Sequence, residues 1–324
     1  MEKERIDFID IYRGFGILFM IMGHVYFGSI FNKWIHAFHM PMFYFVTGYF
    51  YNSKLGILDF TKKKARSLLV PYFVFCIICS LLFCAINGKL YWLEMLDIIW
   101  INNKGWIPIG PMWYLTSLFI ALIIFKLIDY VPNKYIKGAI CAMISIFGCM
   151  VSTTIVFTLP WSMMAAFVSV VFLYVGSLVK QKKIDEFILN RMTQVKMFIL
   201  LISLFILIFI NGEINMREGI YAFIPLFYIN AFLAICFFGC LSKWIWGSLI
   251  NRFRLSISSI KYIGENSIVF LCFNQILIFI FNNYVNININ MLLYKIIELF
   301  MVLICCFILS VTINRTPLKW IINK

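Results

Sequence analysis

Three observations predict an all-α polytopic membrane protein. The 324 residues are 63% hydrophobic and only 13% charged, whereas soluble domains carry about a quarter charged residues. Apolar runs of roughly 17–25 residues, each long enough for a bilayer core of ~30 Å, recur along the whole length. The lysines and arginines gather in short clusters between these runs, as membrane topology requires. No intervening stretch is long enough for a second globular unit, so residues 1–324 read as one integral-membrane domain.

Ten spans follow in order. The first, near 10–30, is apolar between Arg13 and His24; no small-residue cleavage site follows it, so it is expected to stay as a helix. The second, near 36–52, carries KWIHAFHMPMFYFVTGYFY, with Pro41 placed to bend it. A basic connection, KLGILDFTKKKARS, precedes the third, near 69–88. Pro108, Gly110 and Pro111 favour either a turn or a short re-entrant element before the fourth, near 111–131. The fifth and sixth, near 136–157 and 160–179, lie between PNKYIKG and KQKKIDEFILNRMTQVK. The seventh and eighth, near 196–212 and 220–241, are joined by NGEINMREG. The ninth, near 266–285, opens at YIGENS, and the asparagine-rich NNYVNININ separates it from the tenth, near 291–313.

Only Lys33, Lys89, Lys104, Arg217 and Lys295, 5 of the 28 basic residues, fall opposite the N-terminal side. Positive residues mark the cytoplasmic face, so both termini are expected in the cytoplasm, as an even number of spans requires. The net charge of +14 does not point to a nucleic-acid partner, because no basic run interleaved with stacking aromatics exists to form such a groove. Membrane lipid is the expected surrounding for most of the 35 Phe. The ten cysteines fall almost entirely in apolar runs, where free thiols pack as small hydrophobes. Cys76 and Cys79 resemble half a zinc site, but no histidine stands near them.

Several polar groups need another explanation. Arg13 and His24 are eleven residues apart, which returns a helix to nearly the same face after three turns and about 16 Å of rise. Both are expected in one wall of a bundle, with Asp10, three residues earlier, placed to neutralise Arg13. Ionisable groups inside spans are functional candidates. His36 and His39 share one side of the second span; His39 lies deeper and is the better candidate for catalytic or substrate contact. A three-histidine metal site with His24 lacks an acidic partner, so no metal is assigned. Asn266 or Ser267 is placed to cap the ninth span, Asn274 and Gln275 are buried amides that need partners, and Glu298 should pair with Lys295.

Taken together, IDIYRGFGILFMIMGH, FHMPMFYFVTGYFY, KKKARSLLVPYFVF, GPMWYLTSLF, LPWSMMAAFVSVVFLYVG and YIGENSIVFLCFNQ resemble, in order and spacing, the membrane acyltransferase-3 family, especially its branch similar to fucose 4-O-acetylases. The resemblance covers roughly residues 6–280. It implies transfer of an acyl group, usually acetyl from acetyl-CoA, to a hydroxyl of a sugar or lipid-linked glycan, with bacterial surface polysaccharide the expected target in the inner (cytoplasmic) membrane. The motif arginine, the motif histidine and the FHMP histidine carry over to Arg13, His24 and His39. Two departures stand out: Ser67 occupies a frequently basic position, although Lys63 and Arg66 keep the usual spacing, and relatives often carry a histidine near Asn274.

Acyl transfer to an alcohol needs a base at the hydroxyl and donors at the developing oxyanion. His24 is the expected base, with an acetyl-histidine intermediate as the competing route. Arg13 would hold donor groups or fix the geometry through Asp10. Lys62, Lys63, Lys64 and Arg66 would draw coenzyme A phosphates to the cytoplasmic mouth, though topology determination alone also explains them. Trp113, Tyr114 and Asn266, with Asp10, are candidates for lining the acceptor path. A glycan transporter or flippase is the rival class, succinyl is a rival donor, and a homo-oligomer stays open.

Overall fold

The computed structural model describes residues 7–52, 54–100, 106–154 and 159–322 and is almost entirely helical. The elements in chain order are α1 (Asp7–Val25), α2 (Ser29–His36), α3 (His39–Tyr49), α4 (Ile57–Lys64), α5 (Val70–Asn87), α6 (Trp92–Trp100), α7 (Trp113–Ile128) and α8 (Lys134–Thr154). They continue as α9 (Met163–Lys182), α10 (Ile184–Arg191), α11 (Gln194–Asn211), β1 (Ile214–Asn215), β2 (Ile220–Tyr221), α12 (Ile224–Trp244), α13 (Arg254–Glu265), α14 (Ser267–Tyr284) and α15 (Met291–Arg315). Among the described residues nine helices are long and apolar enough to cross a membrane. The fold class is therefore the expected one, a multi-pass all-α protein.

The remaining expected span is short. Tyr26 and Gly28 adopt positive φ, 64° and 112°, which ends α1 at Val25 and folds α2 back against it. Asn32 Nδ2 donates to the Gly23 carbonyl at 3.0 Å and secures that return. The second span thus reduces to the 11 residues of α3, about 16 Å of helix. Pro41 does not bend it. As the third residue of α3 it stands in the first turn, where a helix needs no N–H donor.

The third span begins earlier than the apolar run suggests. Residues 57–87 form one continuous helix, with a π-helical turn over Ala65–Leu69 joining α4 to α5. Pro71 has no N–H for the Ser67 carbonyl, and its ring crowds that position, so the helix widens just before it. The basic cluster at residues 62–66 is consequently helical, not a loop. Ile107–Met112 form a buried 3-10 turn into α7, packed on α5 and α14. Lys104 lies outside the described residues.

Two crossings bring backbones together. Gly48 of α3 faces Gly176 of α9: a Cβ on Gly48 would overlap the Leu173 carbonyl, and one on Gly176 the Phe45 carbonyl. Gly14 of α1 and Gly264 of α13 meet in the same way, against the carbonyls of Ile260 and Asp10. Small residues allow such approach where lipid supplies no hydrophobic drive between helices. At the end of the bundle that holds the N-terminus, Asp7 pairs with Lys261 and Tyr49 donates to Asp185 at 2.6 Å. At the other end, α2, the β1–β2 hairpin and the 3-10 turn surround the C-terminus of α1.

All ten cysteines are free thiols. Cys76 donates to the Met112 sulfur at 3.3 Å and Cys79 to the Cys272 carbonyl at 3.6 Å, which fits the packing role expected of them. Lys295 donates to Glu298 at 2.8 Å, the pair read from the sequence. Glu298 is fully buried and also accepts from Asn282 at 2.8 Å.

Candidate active site

The C-terminal turn of α1 carries His24 into a cavity of about 210 Å³, whose wall also includes His36, His39, Trp113, Tyr114 and Arg217. Its walls come from α1, α2, α3, the turn into α7, the β1–β2 hairpin and, through Leu271, α14. The reversal after α1 lays His36 of α2 beside Gly23, where an added Cβ would stand 3.6 Å from its Nε2. α3 then starts at His39, whose ring centroid lies 5.4 Å from that of His36. The turn at Pro111 delivers Trp113 and Tyr114, and the β1–β2 hairpin brings Asn215–Glu218 to the wall.

Hydrogen bonding decides which imidazole nitrogen carries the proton. Asn274, fully buried in α14, donates both amide hydrogens to its own helix, to the Phe270 carbonyl at 2.9 Å and the Leu271 carbonyl at 2.8 Å. Its Oδ1 is therefore an acceptor, and flipping the amide would set oxygen against two carbonyl oxygens. His24 Nδ1 lies 2.7 Å from that Oδ1 and must donate to it. In the neutral ring the lone pair is then on Nε2. His39 follows the same logic, since its Nδ1 donates to the Ile35 carbonyl at 2.9 Å. The cavity thus holds two histidines whose Nδ1 is engaged as a donor, which leaves Nε2 of each as the acceptor.

The other residues singled out by the sequence divide into two sets. Tyr114 lines the cavity, with its ring 5.7 Å from that of Phe43 and 5.1 Å from that of Tyr44. Arg13 itself is not in the cavity: it sits three turns down α1, pairs with Asp10 at 3.3 Å and stacks 5.0 Å from the ring of Phe50, the residue after α3. His24 instead bonds to Asn274 of α14. Asp10 is buried beneath Arg13 and does not line the His24 cavity.

Asn266 is displaced furthest from expectation. It lies at the N-terminal end of the bundle, donates to the Tyr262 carbonyl at 2.9 Å and accepts from Asn314 at 2.8 Å. Its side chain neither caps α14 nor reaches the cavity, because those two bonds occupy it. Lys63 and Arg66 are exposed, while Lys64 folds over the Phe60 ring at 5.6 Å. These basic groups are remote from the His24 cavity, on the helical extension of the third span.

Sequence reasoning missed the hairpin. Arg217 and its neighbours line the cavity, and the only hint was an arginine on the face where basic residues are scarce. Among the described residues no group of three or more His, Cys, Asp or Glu side chains could hold a metal ion.

The arrangement suits proton removal from a ligand hydroxyl in a shielded pocket inside a helical bundle. A comparison with curated proteins finds no match. The acyltransferase-3 family model, described as an acyltransferase domain, matches residues 6–312, from just before α1 nearly to the end of α15. The match includes every element that builds the cavity, and the chain therefore belongs to the membrane acyltransferase-3 family.

Proposed function

We propose that this membrane acyltransferase moves an acetyl group from acetyl-CoA to a sugar hydroxyl of a surface polysaccharide or its lipid-linked precursor. The observation that carries this reading is the bond from His24 Nδ1 to Asn274, which leaves Nε2 as the base. As the acceptor oxygen attacks the thioester carbonyl, Nε2 takes the hydroxyl proton. The C–S bond then breaks, and the imidazolium returns the proton to the departing thiolate, leaving an ester and free coenzyme A. A positioned general base contributes about 10²–10⁴-fold. His39, with its Nε2 also bare, is a second contact for the acetyl or sugar group.

Arg13 and the exposed Lys63 and Arg66, with Lys64, stand at the end where coenzyme A enters if both termini are cytoplasmic. Arg13 to His24 is about 16 Å along α1, a distance the pantetheine arm can bridge. In this reading the protein lies in the inner membrane, the acetyl group crosses with the thioester arm, and the acceptor meets it near the outer face. The resemblance of the motif segments to the branch similar to fucose 4-O-acetylases supports a carbohydrate acceptor.

The test compares surface glycan from cells with the protein, without it, and with His24→Ala. Proton NMR should show a base-labile acetyl signal in the first sample and not in the others. Acetyl signals of equal size in all three would reject the proposal.

A further inference from the structure

Among the described cavity groups that the mechanism leaves unused, Arg217 is the one cation. Arg217 is half-buried, and its Nε and Nη2 are shielded from water without a hydrogen-bond partner. Its position is built rather than incidental. The Ile214–Tyr221 and Asn215–Ile220 pairs close the hairpin, and Asn215 Oδ1 accepts from the backbone N–H groups of Arg217 at 3.1 Å and Glu218 at 3.3 Å. Gly219, at φ 74°, completes the turn. This folds the side chain onto the wall shared with His24, His36 and Trp113.

A guanidinium stays charged, and a charged edge taken out of water without a counter-ion is destabilising. Burial draws the Arg217 pKa below its ordinary value, with Glu218 opposing that shift. Glu218 is exposed, and no ion pair joins it to Arg217 among the described residues. Nε and Nη2 form one edge of the guanidinium, with two parallel N–H bonds matched to two oxygens of a carboxylate or phosphate. A carbonyl oxygen accepts both N–H groups but carries no charge to balance the guanidinium, whereas an anion does both. In this structure the edge is closed to water, so an anion engages it as the Arg217 side chain turns toward the cavity it lines.

Building on the acetyl-transfer reading above, we infer that Arg217 binds a carboxylate or phosphate on the acceptor, close to the hydroxyl that His24 deprotonates. The donor is a poor source for this anion. Its phosphates are separated from the thioester by the pantetheine arm, and a cavity of about 210 Å³ does not hold both ends. The anion therefore belongs to the modified sugar or to its immediate neighbour, as in an acidic sugar or a sugar phosphate.

The experiment crosses enzyme with acceptor. Full-length wild-type protein, Arg217→Gln and His24→Ala in nanodiscs receive labelled acetyl-CoA. The acceptor is surface glycan from cells lacking the protein, used untreated, with carboxyls reduced to alcohols, or with phosphates removed. On untreated acceptor, Arg217→Gln should lose about 10- to 100-fold in kcat/KM, chiefly through KM, since a hydrogen bond to a charged group contributes about 1.5–3 kcal/mol. One chemical treatment should bring the wild type down to the same level while leaving Arg217→Gln unchanged, and which treatment does so distinguishes carboxylate from phosphate. Wild-type rates that survive both treatments would overturn the inference, whether or not Arg217→Gln folds. So would treatments that slow both enzymes equally. A wild type that esterifies none of the acceptors, or a His24→Ala variant with full activity, would instead reject the acetyl-transfer reading on which this rests.

Discussion

Asn274 determines what the imidazole of His24 is able to do. With both amide hydrogens spent on α14, its oxygen holds the proton on Nδ1 and keeps the ring from turning. Asn274→Leu removes the acceptor at similar volume, so either nitrogen can be protonated. Steady-state kinetics should show kcat about 10- to 100-fold lower with KM nearly unchanged, the range seen when a group that orients an imidazole is removed. Asn274→Asp restores an acceptor oxygen and should recover part of the loss; a merely structural defect would not respond in that way. Each partner was conspicuous in the sequence alone, one as a histidine in an apolar run and the other as a buried amide needing a bond. Their pairing was not, because 250 residues separate them and only the packing of α14 on α1 joins them. Asn266 misled for the related reason that a polar residue at a helix start looks the same whether it caps, lines a path or ties down a neighbour.

Helix identity follows from apolar length, but helix ends follow from local geometry that hydropathy does not register. The reversal at Tyr26 and Gly28 and the π turn before Pro71 shifted two boundaries. The same reversal brought His36 to the site beside His39. Close crossings were equally hidden, since a glycine in an apolar run reveals nothing about its neighbour. Gly48→Ala places a methyl group against the Leu173 carbonyl and should cost about 1–3 kcal/mol, read as a lower midpoint in thermal unfolding in detergent. Gly56, with nothing near its added Cβ, is the control and should move little on substitution by Ala. At the α14–α15 contact, Lys295→Met leaves the Glu298 carboxylate buried with only Asn282 as donor. It should destabilise more than the double variant Lys295→Met/Glu298→Gln, which removes the charge as well.

Across the whole molecule, the basic cluster at residues 62–66 and the histidine cavity lie at opposite ends of the bundle. If the face rich in lysine and arginine is cytoplasmic, acetyl-CoA approaches from one end and the acceptor from the other. In a cysteine-depleted protein, Lys63→Cys should react with an impermeant thiol reagent only from the cytoplasmic side. His24→Cys should react from the outside. Reaction of both positions only from the cytoplasm would overturn transbilayer transfer while leaving the chemistry intact. The chemistry itself has a sharper test: single-turnover transfer of labelled acetyl by purified His24→Ala, measured beside the wild type with donor binding checked in parallel. The rate should drop at least about 10²-fold while coenzyme A still binds, and an unchanged rate would contradict the role assigned to His24.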